Sequence, residues 1–190
     1  MSKLLKIGFV IVFFILTLVF LSCEEDSIPK PEAQLRLEYQ KPEYSNINSN
    51  CLYTFQVSNQ AKAFVTDKCW VNIVYPNLKA TVNITYRTVD NNLKELFLES
   101  EKLTFNHAIK ADEISSTPFV NSVNKTYGAI YEVTGNAASP VQFHLTDSTK
   151  HFITGALYFE VQPNYDSILP AIQYVEKDLK HLMESLKWKN

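Results

Sequence analysis

Residues 146–151 read TDSTKH, and within those six positions stand a carboxylate in Asp147, a hydroxyl in Ser148 and an imidazole in His151. These are the side-chain types of a hydrolytic triad, and Ser148 with Lys150 could also form a Ser–Lys pair. A plainer reading competes. Asp, Ser and Thr bend a chain between strands by bonding back to their own backbone, so turn chemistry alone accounts for them here. Asn136 in the preceding GNAAS segment joins Asp147, Ser148 and His151 as positions where a ligand or partner would be met. A metal site from His144 and His151 is not expected, because no third ligand is spaced with them.

The remaining chemistry is mostly absence. The chain has no G-x-G-x-x-G or Walker loop, no H-E-x-x-H and no G-x-S-x-G elbow. No cofactor is expected, and the chain reads as non-enzymatic. The alternative is a periplasmic hydrolase or small-ligand-binding lipoprotein using the TDSTKH turn.

The elements that must position this turn are strands first and a helix last. AQLRLEY from Ala33, LYTFQV from Leu52 and CWVNIVYP from Cys69 read as strands. KATVNITYR from Lys79 is the clearest, with Val82, Ile84 and Tyr86 on one face and Thr81, Asn83 and Thr85 on the other. Asp90 or Asn91 then caps a helix whose Leu93, Leu96, Phe97, Ser100, Leu103 and His107 share a stripe. His107, at the margin of that stripe, reads as a packed histidine. Ser115 to Lys125 reads as a polar loop, followed by the strands TYGAIYEVT, VQFHLTD and HFITGALYFEV in a meander. Asp166 or Ser167 caps the last helix, Pro170 falls in its first turn, and Ile168, Ile172, Val175, Leu179, Leu182 and Leu186 form its apolar stripe. Glu176 and Lys180 pair on its exposed side. The expectation is an α+β fold in a single domain: a mainly antiparallel sheet packed by a middle helix and a long C-terminal helix. This order of elements is similar to the PsbP-like α/β/α sandwich.

The N-terminus decides the location. Lys3 and Lys6 precede Ile7 to Leu21, fifteen residues without a charge, which is the anatomy of a signal peptide and somewhat short for a permanent span. The run ends in Leu21, Ser22 and Cys23, which resembles a bacterial lipobox. The implied domains are a signal peptide over 1–22, an acidic, proline-containing tether over 23–32 that starts at lipidated Cys23, and one domain over 33–190. Removing 22 of 190 residues leaves 168, and losing Lys3 and Lys6 takes the formal charge from −2 to −4. Such a balance gives nucleic acid nothing to hold. Beyond Cys23 two cysteines remain, Cys51 and Cys69. In an oxidising export compartment, with a spacing far from C-x-x-C, they read as a disulfide closing a loop of about 18 residues.

The segments CWVNIVYPNLKATVNITY, NNLKEL with LTFNHAIKAD, YEVTGNAAS, DSTKHFITGALYF and PNYDSILPAIQYVEKDLKHLMESLKWK together resemble the GldD family of Bacteroidota gliding-motility lipoproteins. The likeness runs from about Pro29 to Lys189. It implies a lipid-anchored cell-envelope protein, with the outer membrane favoured. The implied partners are the membrane and other envelope proteins of gliding and type IX secretion. It brings no catalytic residues.

Overall fold

Phe143 and His144 are adjacent in one strand, yet each lies in a different hydrophobic layer. That alternation organises the molecule. The computed structural model describes residues 39–107, 111–160 and 164–189. The expected signal peptide, Cys23, the expected tether and most of the strand expected from Ala33 lie outside the described residues.

Eleven strands and two α-helices are described, with a short 3-10 helix at Pro76–Leu78. They are β1 (Tyr44–Asn46), β2 (Tyr53–Thr54), β3 (Gln56–Ser58), β4 (Lys62–Val65), β5 (Val71–Tyr75), β6 (Ala80–Thr88), α1 (Leu93–His107), β7 (Ala111–Asn121), β8 (Thr126–Gly135), β9 (Val141–Thr146), β10 (His151–Phe159), α2 (Tyr165–Ser185) and β11 (Lys187–Trp188). Seven strands form one antiparallel sheet in the order β4-β5-β6-β10-β9-β8-β7. It is two meanders joined where β10 lies against β6, with Ile153 opposite Tyr86 and Leu157 opposite Val82. Two small ribbons, β1 with β3 and β11 with β2, lie outside it.

One face of the sheet carries Val82, Ile84, Phe143, Leu145, Ile153 and Leu157, buried in a single cluster with Ile172, Val175, Leu179, Leu182 and Leu186 of the α2 region. The expected stripe of the last helix is therefore the one that packs. The opposite face carries Gln142, His144 and Phe152, over which α1 lies: Phe97 meets the His144 ring at 5.1 Å and the Phe152 ring at 5.4 Å. All six residues of β9 are buried, as a strand covered on both faces must be. Gln34–Asn190 forms one compact unit, and the architecture is the expected α+β fold with a middle and a long C-terminal helix.

Some local expectations are corrected. Residues 115–121 are not loop but most of β7, an edge strand whose Ser115, Ser116 and Thr117 are polar because most of that strand is solvent-exposed. Pro118 is tolerated there because an edge strand need not donate on both sides. LYTFQV is broken at Phe55 into β2 and β3, which pair with different partners. On α1, Leu96 and Ser100 of the expected stripe are buried, but further along Thr104 is buried while Leu103 is 53% exposed. The Thr104 hydroxyl bonds Gln142 Oε1 at 3.1 Å, so a polar contact takes the inward position. The side chain of His107 lies outside the described residues. Asn164, not Asp166 or Ser167, stands at the N-cap of α2, which places Pro170 inside the helix rather than in its first turn. The Glu176–Lys180 pair forms as expected, and Lys180 also reaches Glu132 at 3.7 Å.

The Cys51–Cys69 disulfide is present, with Cα atoms 5.6 Å apart. It ties the segment before β2 to the turn before β5. Because β2 pairs with β11, the disulfide lies next to the place where the C-terminal end of the described chain is fixed.

Candidate functional site

The TDSTKH turn joins β9 to β10, and its carboxylate is used by the turn itself. Asp147 Oδ1 accepts from the backbone N–H groups of Thr149 at 3.0 Å, Lys150 at 2.8 Å and His151 at 2.9 Å, while Oδ2 accepts from the Thr149 hydroxyl at 2.9 Å. Burial would raise this carboxyl, but the three backbone donors and the Thr149 hydroxyl outweigh it and hold the pKa below the ordinary value. Ser148 takes a left-handed conformation at φ 65°, and its N–H donates to Thr146 Oγ1 at 2.9 Å. The Thr146 hydroxyl in turn donates to the His151 carbonyl at 2.6 Å. The strand-to-strand geometry is thus maintained from within by Asp147 and Thr146.

His151 is 6% exposed and points to the α2 face, where its Nδ1 lies 2.8 Å from the Tyr86 hydroxyl. Its ring is parallel to Trp188, with centroids 5.1 Å apart. Burial lowers its pKa, and Lys150 adds to that while Asp147 opposes it. The imidazole is therefore neutral at pH 7. His144, two residues before the end of β9, stacks on Phe152 on the opposite face. The two histidines cannot share an ion through the sheet.

Asn136 is not part of this assembly. Between the Tyr127–Thr146 and Glu132–Val141 pairs the strands run five residues, so Asn136 lies beyond the other end of β9, roughly 20 Å from the turn. There its Oδ1 accepts from Tyr165 N–H at 3.2 Å and helps seat the start of α2.

The turn forms one wall of a groove of about 480 Å³ lined by Asn124, Lys125, Asp147, Thr149, Lys150, His151, Lys187 and Trp188, with Val123 at its rim. Three elements converge on it: the β7–β8 turn, the β9–β10 turn and β11. Trp188 Nε1–H donates to the Lys125 carbonyl at 3.2 Å, and the Asn121 and Asn124 amides donate to the Glu184 carbonyl at the end of α2. Lys125, Lys150 and Lys187 are far apart in sequence, so only the fold reveals their convergence.

A second polar centre lies on α2. Asp178 falls on the apolar stripe of α2 and is 4% exposed. Its Oδ1 accepts from the Tyr44 hydroxyl at 2.7 Å and its Oδ2 from Tyr75 at 3.0 Å. Burial raises its carboxyl above the ordinary range, against the lowering effect of the Tyr44, Tyr75 and Ser58 hydroxyls. A carboxylate between Val175 and Leu179 is the signal that would have found it.

Residues 24–188 match the model of a protein family described as gliding motility lipoprotein GldD. No curated protein matches the chain. Among the described residues no helix is long and apolar enough to cross a membrane.

Proposed function

The chain belongs to the gliding motility lipoprotein GldD family, and on that premise we propose that it is a structural or assembly factor of the gliding and type IX secretion apparatus that acts without catalysis. A lipid on Cys23 holds it to the membrane, with the outer membrane as the favoured location. Each buried methylene contributes about 0.8 kcal/mol, so one acyl chain anchors weakly and two or three anchor firmly.

The observation that carries the non-catalytic reading is the use made of Asp147. In a Ser-His-Asp site the carboxylate accepts from the imidazole N–H and orients it. Here both carboxylate oxygens serve the turn, and His151 Nδ1 is taken by Tyr86. The residue types of a triad are present while the bonds of one are replaced by the bonds of a β-turn.

Two experiments test the reading. Cys23→Ser should abolish incorporation of labelled palmitate and leave an unprocessed precursor; label in that variant would contradict the anchor. Crosslinking in intact membranes, followed by capture of the lipoprotein, should recover envelope proteins of the gliding or secretion machinery. Their absence from a capture that retains full-length, lipidated protein would contradict the assembly role.

A further inference from the structure

We propose that the groove between the β7–β8 turn, the β9–β10 turn and β11 is a binding site for a phosphate group, with Lys125, Lys150 and Lys187 supplying charge and the Trp188 and His151 rings forming its wall. This goes beyond the assembly role, and stands or falls independently of it.

Four observations support the site. The mature chain is acidic by composition, yet this groove gathers three lysines from three separate elements. None of the three forms an ion pair among the described residues, whereas Arg87 and Lys180 do. The groove's one lining acid, Asp147, has both oxygens committed to four hydrogen bonds within its own turn. Asp147 stays ionised and offsets one of these charges, so the groove keeps two lysine charges in excess, with no lysine paired to a carboxylate among the described residues.

His151 adds a ring nitrogen. It is more than nine-tenths buried, and Tyr86 occupies Nδ1, which leaves Nε2 as the nitrogen available to the groove that the residue lines. When the Tyr86 hydroxyl donates to Nδ1, the proton of the neutral ring sits on Nε2. An uncharged imidazole then presents an N–H to an anion.

The donor set suits a multiply charged anion: three ammonium groups converge, and no arginine fork is present to favour bidentate pairing with a single carboxylate. Lysine ammonium groups act as point charges and suit the compact, densely charged phosphate. A volume of about 480 Å³ leaves room for the group that carries the phosphate, which would lie against Trp188. A phosphate monoester in solution and a lipid headgroup present the same chemistry.

The test uses the full lipidated protein in detergent and amine acetylation read by mass spectrometry. Pyrophosphate, at ionic strength matched with chloride, should slow acetylation of Lys125, Lys150 and Lys187 while Lys94 and Lys102 on α1 react as before. Glycerol phosphate should act in the same way if the source is soluble. If the source is a lipid, nanodiscs containing phosphatidylglycerol should protect the three lysines and phosphatidylcholine nanodiscs should not. Replacing Lys150 and Lys187 with Gln should weaken binding by about tenfold or more, given the usual strength of charged hydrogen bonds. Both side chains are exposed, and the double variant should keep the wild-type melting temperature. Equal protection of Lys94 and Lys102 would overturn the proposal as non-specific screening. So would protection by an acidic peptide alone, or no protection by either phosphate source.

Discussion

His144→Phe should make the protein resistant to mild acid, and the size of the effect follows from where the ring sits. His144 is 6% exposed on the α1 side of β9, stacked on Phe152 at 5.9 Å and met edge-on by Phe97 at 5.1 Å. Its Nδ1 is buried without a hydrogen-bond partner. A proton added there makes an unpaired charge among aromatic rings, so burial pushes the pKa down from 6.5 to about 4. The unfolded chain binds the proton more readily than the folded one throughout that interval. Stability from this group is therefore complete above pH 6.5 and declines as the pH falls from 6.5 towards 4. Linkage gives a loss of about 2 kcal/mol between pH 7.5 and 5, growing to about 3 kcal/mol at pH 4. Phenylalanine fills nearly the same space and does not titrate. Urea unfolding of both proteins at pH 7.5, 6, 5 and 4.5 isolates the effect, because the other titrating groups cancel in the difference. The variant should gain about 2 kcal/mol on the wild type between pH 7.5 and 5. A difference independent of pH would refute the reasoning.

Asp178 should show the opposite trend. Its carboxyl is raised in the folded state, so protonation favours folding, and its contribution falls as the pH rises through that raised value. Asp178→Asn should gain stability relative to the wild type from pH 4 to pH 7 in thermal melts; a constant gap would contradict the buried, raised carboxyl. Gly155→Ala should destabilise by about 1–3 kcal/mol in urea titrations, because an added Cβ would lie 2.2 Å from the buried ring of Phe143, its register partner on β9. A loss within error of zero would mean that the ring moves freely. Cys51→Ser should cost about 3 kcal/mol in the chain-entropy model, and Cys51 and Cys69 in the exported wild type should resist alkylation until reductant is added. Free thiols there would contradict the disulfide.

The parts of the fold that follow a strict period were legible from residue types alone. Val82, Ile84 and Tyr86 alternate because one face of β6 meets the α2 core, and the α2 stripe repeats because that helix lies on the same core. Elements that escape the period were harder. β7 is an exposed edge with no apolar alternation to display, and β4, with Lys62, Ala63 and Phe64 exposed, resembles a loop for the same reason. Thr104 took a buried position on α1 because Gln142 offers it a hydrogen bond, a partner 38 residues away. At the candidate site, the hydrogen bonds of Asp147 stay within its own turn, so that local geometry follows from adjacent residue types. The lysine groove depends on three separate elements bringing residues 125, 150 and 187 to one place, which no local pattern encodes.

Ser148→Gly tests most directly the proposal that the TDSTKH turn is a scaffold and not a nucleophilic centre. Glycine accepts the left-handed conformation of Ser148, at φ 65°, without strain, so the substitution removes the hydroxyl and leaves the turn intact. The measurement is the gliding of cells that carry the variant at normal abundance and with normal lipidation. Substantial gliding is the predicted result. Abolished gliding with the folded variant still on the membrane would contradict the account, because loss of a catalytic nucleophile costs orders of magnitude in rate without unfolding the protein.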